Sequence, residues 1–400
     1  MRDVVVIGGG PAGLRLAYRL ARAGYDTLVF DDRPDIGKKK ICTGIVSPEA
    51  FDRFKLPRGS ILNDISKIKF FSPQGAELEY VSPSLLAYVV DRTVFDRGLA
   101  EMASRQGVEI RRGKRVNRVT ENVDGMSVEA SAVGKPSLRE EVKARIVVVA
   151  TGVNFNLNKS LGLGFPTDFL NAAQAHIEIK DLDCTLCYLG RNIAPGAFAW
   201  IVPLGRVGQS FGQPEKGRVG LMAEGRAAHY FEQLLGSVAG YRNSDPGTVD
   251  IDYKPIAQNF VGKTVGNRVI AVGEAAGQVK TTTGGGIFYG LLCAELAADV
   301  IEEALKLNRC DEGFLGQYEE KWKKKINREL KLGYSFRKAF AKLSDSEIDR
   351  LFSLASMNGI MPLVRMTAKF DWHAELLCSV MRYRTIQKLI GIDMQEVADI

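Results

Sequence analysis

Residues 3–7 form a short apolar run that ends at three glycines; positions 11–23 then carry apolar residues at helical spacing, and a second apolar run, 25–30, closes on Asp31. The pattern predicts strand, tight turn, helix and strand. A third apolar run, 146–150, ends at Thr151 and Gly152. A fourth, 267–272, leads into Gly273, Glu274 and Gly277, then Gly284, Gly285 and Gly286, then an apolar helix from Ile287 to about 301. Between these blocks the apolar positions alternate. Runs at 65–71 and 77–81 flank a turn at 72–75 and predict a hairpin, and 172–179, 197–202 and 218–222 predict further strands. From 311 onward the spacing is helical, with Trp322, Ile326, Leu330 and Tyr334 recurring every fourth residue.

The first block carries chemistry. Gly8, Gly10 and Gly13, with Pro11 and Ala12 between them, satisfy G-x-G-x-x-G between a strand and a helix. Gly8 permits the turn, Gly10 lets the backbone approach a pyrophosphate, and Gly13 allows close helix–strand packing. The helix N-terminus supplies free N–H groups to phosphate. Asp31, 18 residues after Gly13, is placed to accept from ribose hydroxyls. The late loop repeats the theme: Glu274 at a strand end suits a polyol hydroxyl, and the glycines before Ile287 open another helix. Two phosphate-cradling loops more than 260 residues apart suggest one dinucleotide clasped by both ends of a discontinuous domain.

The expected fold is α/β (α+β overall): a Rossmann-type dinucleotide domain from 1–58, 88–165 and 265–310, and a mostly antiparallel substrate sheet from 59–87 and 166–264. A helical C-terminal region follows from 311–400.

Composition limits the setting. At 400 residues the chain can bury more than one core. The first strand starts at residue 3, leaving no room for a signal peptide, and six scattered cysteines form no disulfide framework, so a cytoplasmic, reducing location is expected. The apolar run 287–301 is too short to span a bilayer and contains Glu295. Of the net charge of +7, most comes from 319–342, with nine Lys or Arg against three Glu. A docked helix with a solvated basic face accounts for this. The sharper alternative is peripheral contact with anionic lipid on the cytoplasmic face of a membrane, or with an anionic substrate. Nothing points to nucleic acid.

The first fingerprint, the segment Arg92 to Asp96, Ala150-Thr-Gly152 and Gly273-Glu-Ala-Ala-Gly277 resemble FAD proteins with the hydroxybenzoate-hydroxylase fold. Within them the chain is most similar to the geranylgeranyl reductase family, through 41–47, 194–203 and 273–290. The resemblance implies FAD as cofactor, with Arg92, Cys42, Gly44, Thr151, Gly152, Gly273, Glu274, Gly284, Gly285, Gly286 and Ile287 joining the first loop at the flavin. It also implies that Cys42 faces a substrate cavity lined by Phe198, Trp200 and Pro203. The family often has Asp at Glu274; the broader hydroxylases have Asp at Thr151, and Pro is usual at Thr281.

The activity so implied is saturation of isolated C=C bonds in an isoprenoid chain of a lipid, chlorophyll precursor or quinone, by hydride from flavin N5 plus a proton. The pocket should be greasy and hold a proton donor. Cys42 is the one ionisable side chain in these motifs placed near the ring, and a thiol is a weak acid. No second complete fingerprint is present, so NAD(P)H would bind transiently or a small redox protein such as reduced ferredoxin would donate electrons. An FAD monooxygenase or halogenase is the alternative, because 198–203 differs from W-x-W-x-I-P at two positions. An electron-transfer flavoprotein is weaker, since Cys310 and Cys378 are isolated. Cys184 and Cys187 form one C-x-x-C within 175–189, which reads as strand, so they point to opposite faces and no metal site is expected there. His176, His229 and His373 are too dispersed to suggest one, and Lys38 to Lys40 read as a solvated loop.

Overall fold

The computed structural model describes residues 1–38, 42–179, 182–205, 215–237, 249–357 and 360–391. An eight-stranded sheet has at its centre Arg2–Ile7, which pairs in parallel with Lys135–Val149 on one side and Thr27–Asp31 on the other. Val269–Ala271 and Glu109–Arg112 extend it in parallel at the two flanks. Val4, Val5, Val6, Val147 and Val148 are fully buried, as a parallel sheet covered on both faces requires. The helices Pro11–Arg22 and Ile287–Leu307 pack together over one face; Leu14, Leu16, Leu291 and Leu292 lie in the shared core.

The second sheet runs in the order Asp252–Ala257, Phe169–Ile179, Glu215–Ala223, Ala199–Pro203, Thr185–Tyr188, Lys67–Phe71 and Glu77–Val81. Its pairings are antiparallel except between Thr185–Tyr188 and Lys67–Phe71. The predicted hairpin is present, with Phe70 opposite Leu78. A three-stranded sheet of Ile45–Val46, Ala87–Val90 and Ile61–Ile65 is interleaved with these two along the chain.

Three expectations change. The run 267–272 is not one strand: Val265–Gly266 and Val269–Ala271 form a hairpin, and Arg268 adopts φ +57° at its turn. The stretch 175–189 divides into the ends of Phe169–Ile179 and Thr185–Tyr188. The apolar run at 146–150 is the end of a longer strand, Lys135–Val149; its first part and its antiparallel partner Gly125–Ala132 were not foreseen, because the charged positions Arg139, Glu140 and Glu141 mask the alternation.

All but the last two residues of the basic segment lie in the 29-residue helix Glu312–Phe340. Trp322, Ile326 and Leu330 are fully buried, and Trp322 Nε1 donates to Thr264 Oγ1 at 3.0 Å, so the helix is docked. Lys321, Lys324, Lys325 and Arg328 remain exposed. Shorter helices, Asp345–Met357, Ile360–Thr367, Ala374–Val380 and Arg384–Ile390, follow. Among the described residues no helix is long and apolar enough to cross a membrane.

Candidate active site

One continuous cavity of about 1370 Å³ runs from the first glycine loop, past the late glycine loop, into a hall between the second sheet and the C-terminal helices. At its first end Gly8 has φ +116°, and a Cβ there would lie 2.2 Å from the Ala150 carbonyl oxygen. Gly10, Pro11 and Ala12 form the wall, and the helix they open has no side-chain cap, leaving its first N–H groups toward the cavity. Gly13 is behind the wall: a Cβ there would sit 2.1 Å from the Gly8 carbonyl oxygen, so it serves packing.

Asp31 also lines the cavity and is only 4% exposed. Its Oδ2 accepts from Gly9 N at 2.6 Å and Arg33 Nη2 at 2.6 Å, and its Oδ1 from Arg33 N at 3.0 Å and Arg33 Nε at 2.8 Å. Burial works to raise its carboxyl, but the Arg33 bonds and charge and the Gly9 N–H outweigh it and hold Asp31 below the usual carboxylate range. Arg33 Nη1 is buried with no partner among the described residues.

The late loop builds the opposite wall. Gly273, Gly277 and Gly284 have φ of +68°, +66° and +71°, and Gly286 precedes the helix Ile287–Leu307 without a side-chain cap. Gly273, Glu274, Gly284, Gly285, Gly286 and Ile287 all face the cavity, as do Thr151 and Gly152. Thr151 spends its hydroxyl locally, donating to Asn154 O at 2.7 Å. Glu274 Oε2 accepts from Lys254 Nζ at 2.9 Å. Lys254 comes from the edge strand Asp252–Ala257 of the second sheet, so this ion pair joins the two sheets across the cavity.

Where the sheets meet, Cys42 lines the cavity and its Sγ accepts from Gly44 N at 3.4 Å. Burial would raise the thiol; the Arg92 charge, the Gly44 N–H and Lys254 bring it below its ordinary value instead. Arg92 is held by both oxygens of Asp96, at 2.9 and 3.0 Å, while its Nε is buried with no hydrogen-bond partner among the described residues. Thr43 is clamped from the second sheet: its carbonyl accepts from Arg218 Nη1, and its hydroxyl donates to Gln174 Oε1 at 3.1 Å. Ile41, Lys39 and Lys40 lie outside the described residues.

These elements have counterparts in known proteins. The model of the FAD dependent oxidoreductase family matches residues 3–67. Digeranylgeranylglycerophospholipid reductase of Methanocaldococcus jannaschii is 30% identical over 362 residues, covering 87% of this chain and 89% of that protein. Digeranylgeranylglycerophospholipid reductase 2 of Methanothermobacter thermautotrophicus is 31% identical over 375 residues, 89% of this chain and 92% of that protein. The chain belongs to the digeranylgeranylglycerophospholipid reductase family. Accordingly it is an FAD-dependent oxidoreductase. In fold, the reductase matches a geranylgeranyl bacteriochlorophyll reductase-like protein from Thermoplasma acidophilum with a TM-score of 0.82, at 21% identity and 98% coverage of both chains. It also matches the myxobacterial chondrochloren halogenase at a TM-score of 0.66, with 17% identity and 84% and 83% coverage.

In the hall of the reductase, Phe198 and Trp200 form part of the wall, their ring centroids 5.7 Å apart. Trp200 pairs in register with Gly220, and a Cβ on Gly220 would be 2.5 Å from the indole, so that glycine makes the room the ring occupies. Pro203 is a correction. In the strand Ala199–Pro203 the side chains alternate, so Val202 joins Trp200 on the cavity while Pro203 turns away, its carbonyl accepting from Asn63 Nδ2 at 3.3 Å. Of the C-x-x-C pair, Cys187 lines the cavity and Cys184 does not; burial pushes the two thiols up to about 12 and about 11. Sequence reasoning missed Lys254, Lys280, Asp371 and His373, all on the cavity wall. Lys254 stands between Tyr253 and Pro255 with no motif around it. Asp371 and His373 lie in a C-terminal segment whose approach to the glycine loop no local pattern announces.

Proposed function

We propose that the protein saturates isolated C=C bonds in the isoprenoid chains of a digeranylgeranylglycerophospholipid. The observation that carries this is the continuity of the cavity: two uncapped helix N-termini and their glycine turns at one end open without a barrier into an apolar hall. The relatives' names give the substrate class. In this reading segments 1–58, 88–165 and 265–310 serve the cofactor, 59–87 and 166–264 the substrate, and 311–400 the cover of the hall.

The residues present fit FAD. Gly8 and Gly10 line the cavity with backbone alone, a Cβ at Gly8 being barred by the Ala150 carbonyl, and the N–H groups at Ala12 and Ile287 suit the pyrophosphate and the ring. Asp31 would hold ribose, and the buried donors Arg33 Nη1 and Arg92 Nε, which have no acceptor among the described residues, would be free to bind the cofactor. Glu274, with Lys254 beside it, would hold the polyol. When bound and reduced, FAD supplies a hydride equivalent. The chain supplies the rest. Phe198, Trp200 and Met222 shape a water-poor slot for the alkene. Cys42 holds a proton on Sγ at the junction of the two halves, and its lowered thiol makes it a stronger acid than an ordinary cysteine. Arg92 and the Gly44 N–H then stabilise the thiolate left behind. The exposed lysines of the basic helix suit contact with the anionic headgroups of the membrane that holds such a substrate. Electrons would come from NAD(P)H or a small donor such as reduced ferredoxin.

The test is product analysis. The FAD-loaded protein is incubated anaerobically with digeranylgeranylglycerophospholipid and excess reductant, and the lipid is read by mass spectrometry. A gain of two hydrogen atoms per double bond is expected. An unchanged lipid, with the reduced flavin reoxidised only once oxygen is admitted, would refute the reading.

A further inference from the structure

Lys280 and Asp371 form an ion pair at 2.8 Å with side chains only 5% and 2% exposed. They come from distant parts of the chain. Lys280 belongs to the late glycine loop, and Asp371 to the segment joining the helices Ile360–Thr367 and Ala374–Val380. Lys280 Nζ also donates to the Phe370 carbonyl at 2.9 Å and lies 4.2 Å from the centre of the Phe370 ring. The same carbonyl is 2.9 Å from His373 Nε2. A carbonyl only accepts, so Nε2 carries the imidazole proton, and Nδ1 accepts from the Thr282 hydroxyl at 2.6 Å. Burial and the Lys280 charge bring His373 down to about 4, so the ring is neutral.

With His373 neutral, this cluster holds one cation and one anion, and the anion is incompletely satisfied: Asp371 Oδ2 is buried with no hydrogen-bond partner among the described residues. A buried pair adds little stability over well-packed apolar residues, so stability alone does not explain these charges. Their place in the cavity does. Lys280 passes beneath the glycine turn, where a Cβ on Gly285 would lie 2.8 Å from Lys280 Cε and 3.4 Å from Nζ, and Gly285 and Gly286 share the wall with the pair.

We infer that Lys280 and Asp371 are positioning residues that set the reduction potential of FAD bound against this loop. The inference rests on FAD binding and not on the identity of the lipid. Two-electron reduction with uptake of one proton leaves the cofactor one negative charge richer. In a poorly solvated cavity Lys280 favours that state and Asp371 opposes it. Together they nearly cancel; removing one exposes the other.

Midpoint potentials of the FAD-loaded protein and its variants, measured by anaerobic dye equilibration without lipid, test this. Lys280→Met should lower the potential and Asp371→Asn raise it, each by at least tenfold in the equilibrium constant, about 30 mV for a two-electron couple. The double variant should return near the starting value, and Lys280→Arg should stay there. A structural disturbance would not produce opposite signs. Shifts of the same sign, or none, overturn the inference. Should Lys280→Met fail to retain FAD, Asp371→Asn decides alone: an upward shift supports the inference, and an unmoved or downward one refutes it. A wild-type protein that binds no FAD would instead refute the cofactor assignment.

Discussion

Asp31→Asn removes one charge at the turn that shapes the first loop. The carboxylate receives four N–H bonds, one from Gly9 and three from Arg33, at 2.6 to 3.0 Å. The amide is nearly the same size, but its NH2 must face a donor, and the half-buried Arg33 loses its counter-ion. Removing one partner of a buried pair costs about 3–5 kcal/mol. Arg33 retains some access to solvent, so the lower end, about 3 kcal/mol, is expected in equilibrium urea unfolding of the apoprotein. The Gly9 N–H loses its acceptor and the loop its set, so the FAD dissociation constant, read by flavin fluorescence, should rise at least tenfold, about 1.4 kcal/mol. The pH dependence carries a sign. Asp31 is depressed in the folded protein, so its contribution is fully present above its unfolded value of about 3.9 and drains away as pH falls through the folded value. Wild-type stability should therefore fall more steeply in acid than that of the variant. Equal unfolding midpoints and equal FAD affinity in the two proteins would refute the reasoning.

Gly220→Ala should push the Trp200 indole from its place, at an overpacking cost of about 1–3 kcal/mol, and lower kcat/KM for the lipid with FAD content unchanged. Unaltered turnover would show that Trp200 does not shape the slot. Alkylation of Cys42 by iodoacetamide should persist below pH 8.5, the ordinary thiol value of about 8.5 being depressed here, while the buried Cys184, Cys187, Cys293 and Cys310 resist. An ordinary pH profile at Cys42, determined by peptide mapping, would contradict this. Lys254→Met should weaken FAD binding by about 0.5–1 kcal/mol, the modest worth of a partly exposed pair, and move the Cys42 profile to higher pH. Neither shift should occur if Lys254 acts only at the surface.

Local patterns carried the fold where one strand meets one turn. Gly8, Gly10, Gly13 and Asp31 declare their geometry within thirty residues of sequence, and the apolar spacing of Trp322, Ile326 and Leu330 announces a docked face. Legibility ended where a residue's role depends on a partner far along the chain. Lys254 matters through Glu274, and Lys280 through Asp371, yet neither pair leaves a local signature. Pro203 failed for another reason: a resemblance names a motif as a block, whereas a strand sends neighbouring side chains to opposite faces. The turn at Arg268 was hidden because a non-glycine residue takes a left-handed conformation there. The charged first part of the strand Lys135–Val149 was missed because it is held by cross-strand partners rather than by burial.

The most direct test of the central claim is anaerobic reoxidation of the reduced, FAD-loaded protein by digeranylgeranylglycerophospholipid, followed by the return of flavin absorbance. One double bond should be consumed for each FAD reoxidised, with no oxygen present. A flavin that stays reduced in excess lipid, and reoxidises only when oxygen is admitted, would contradict the account.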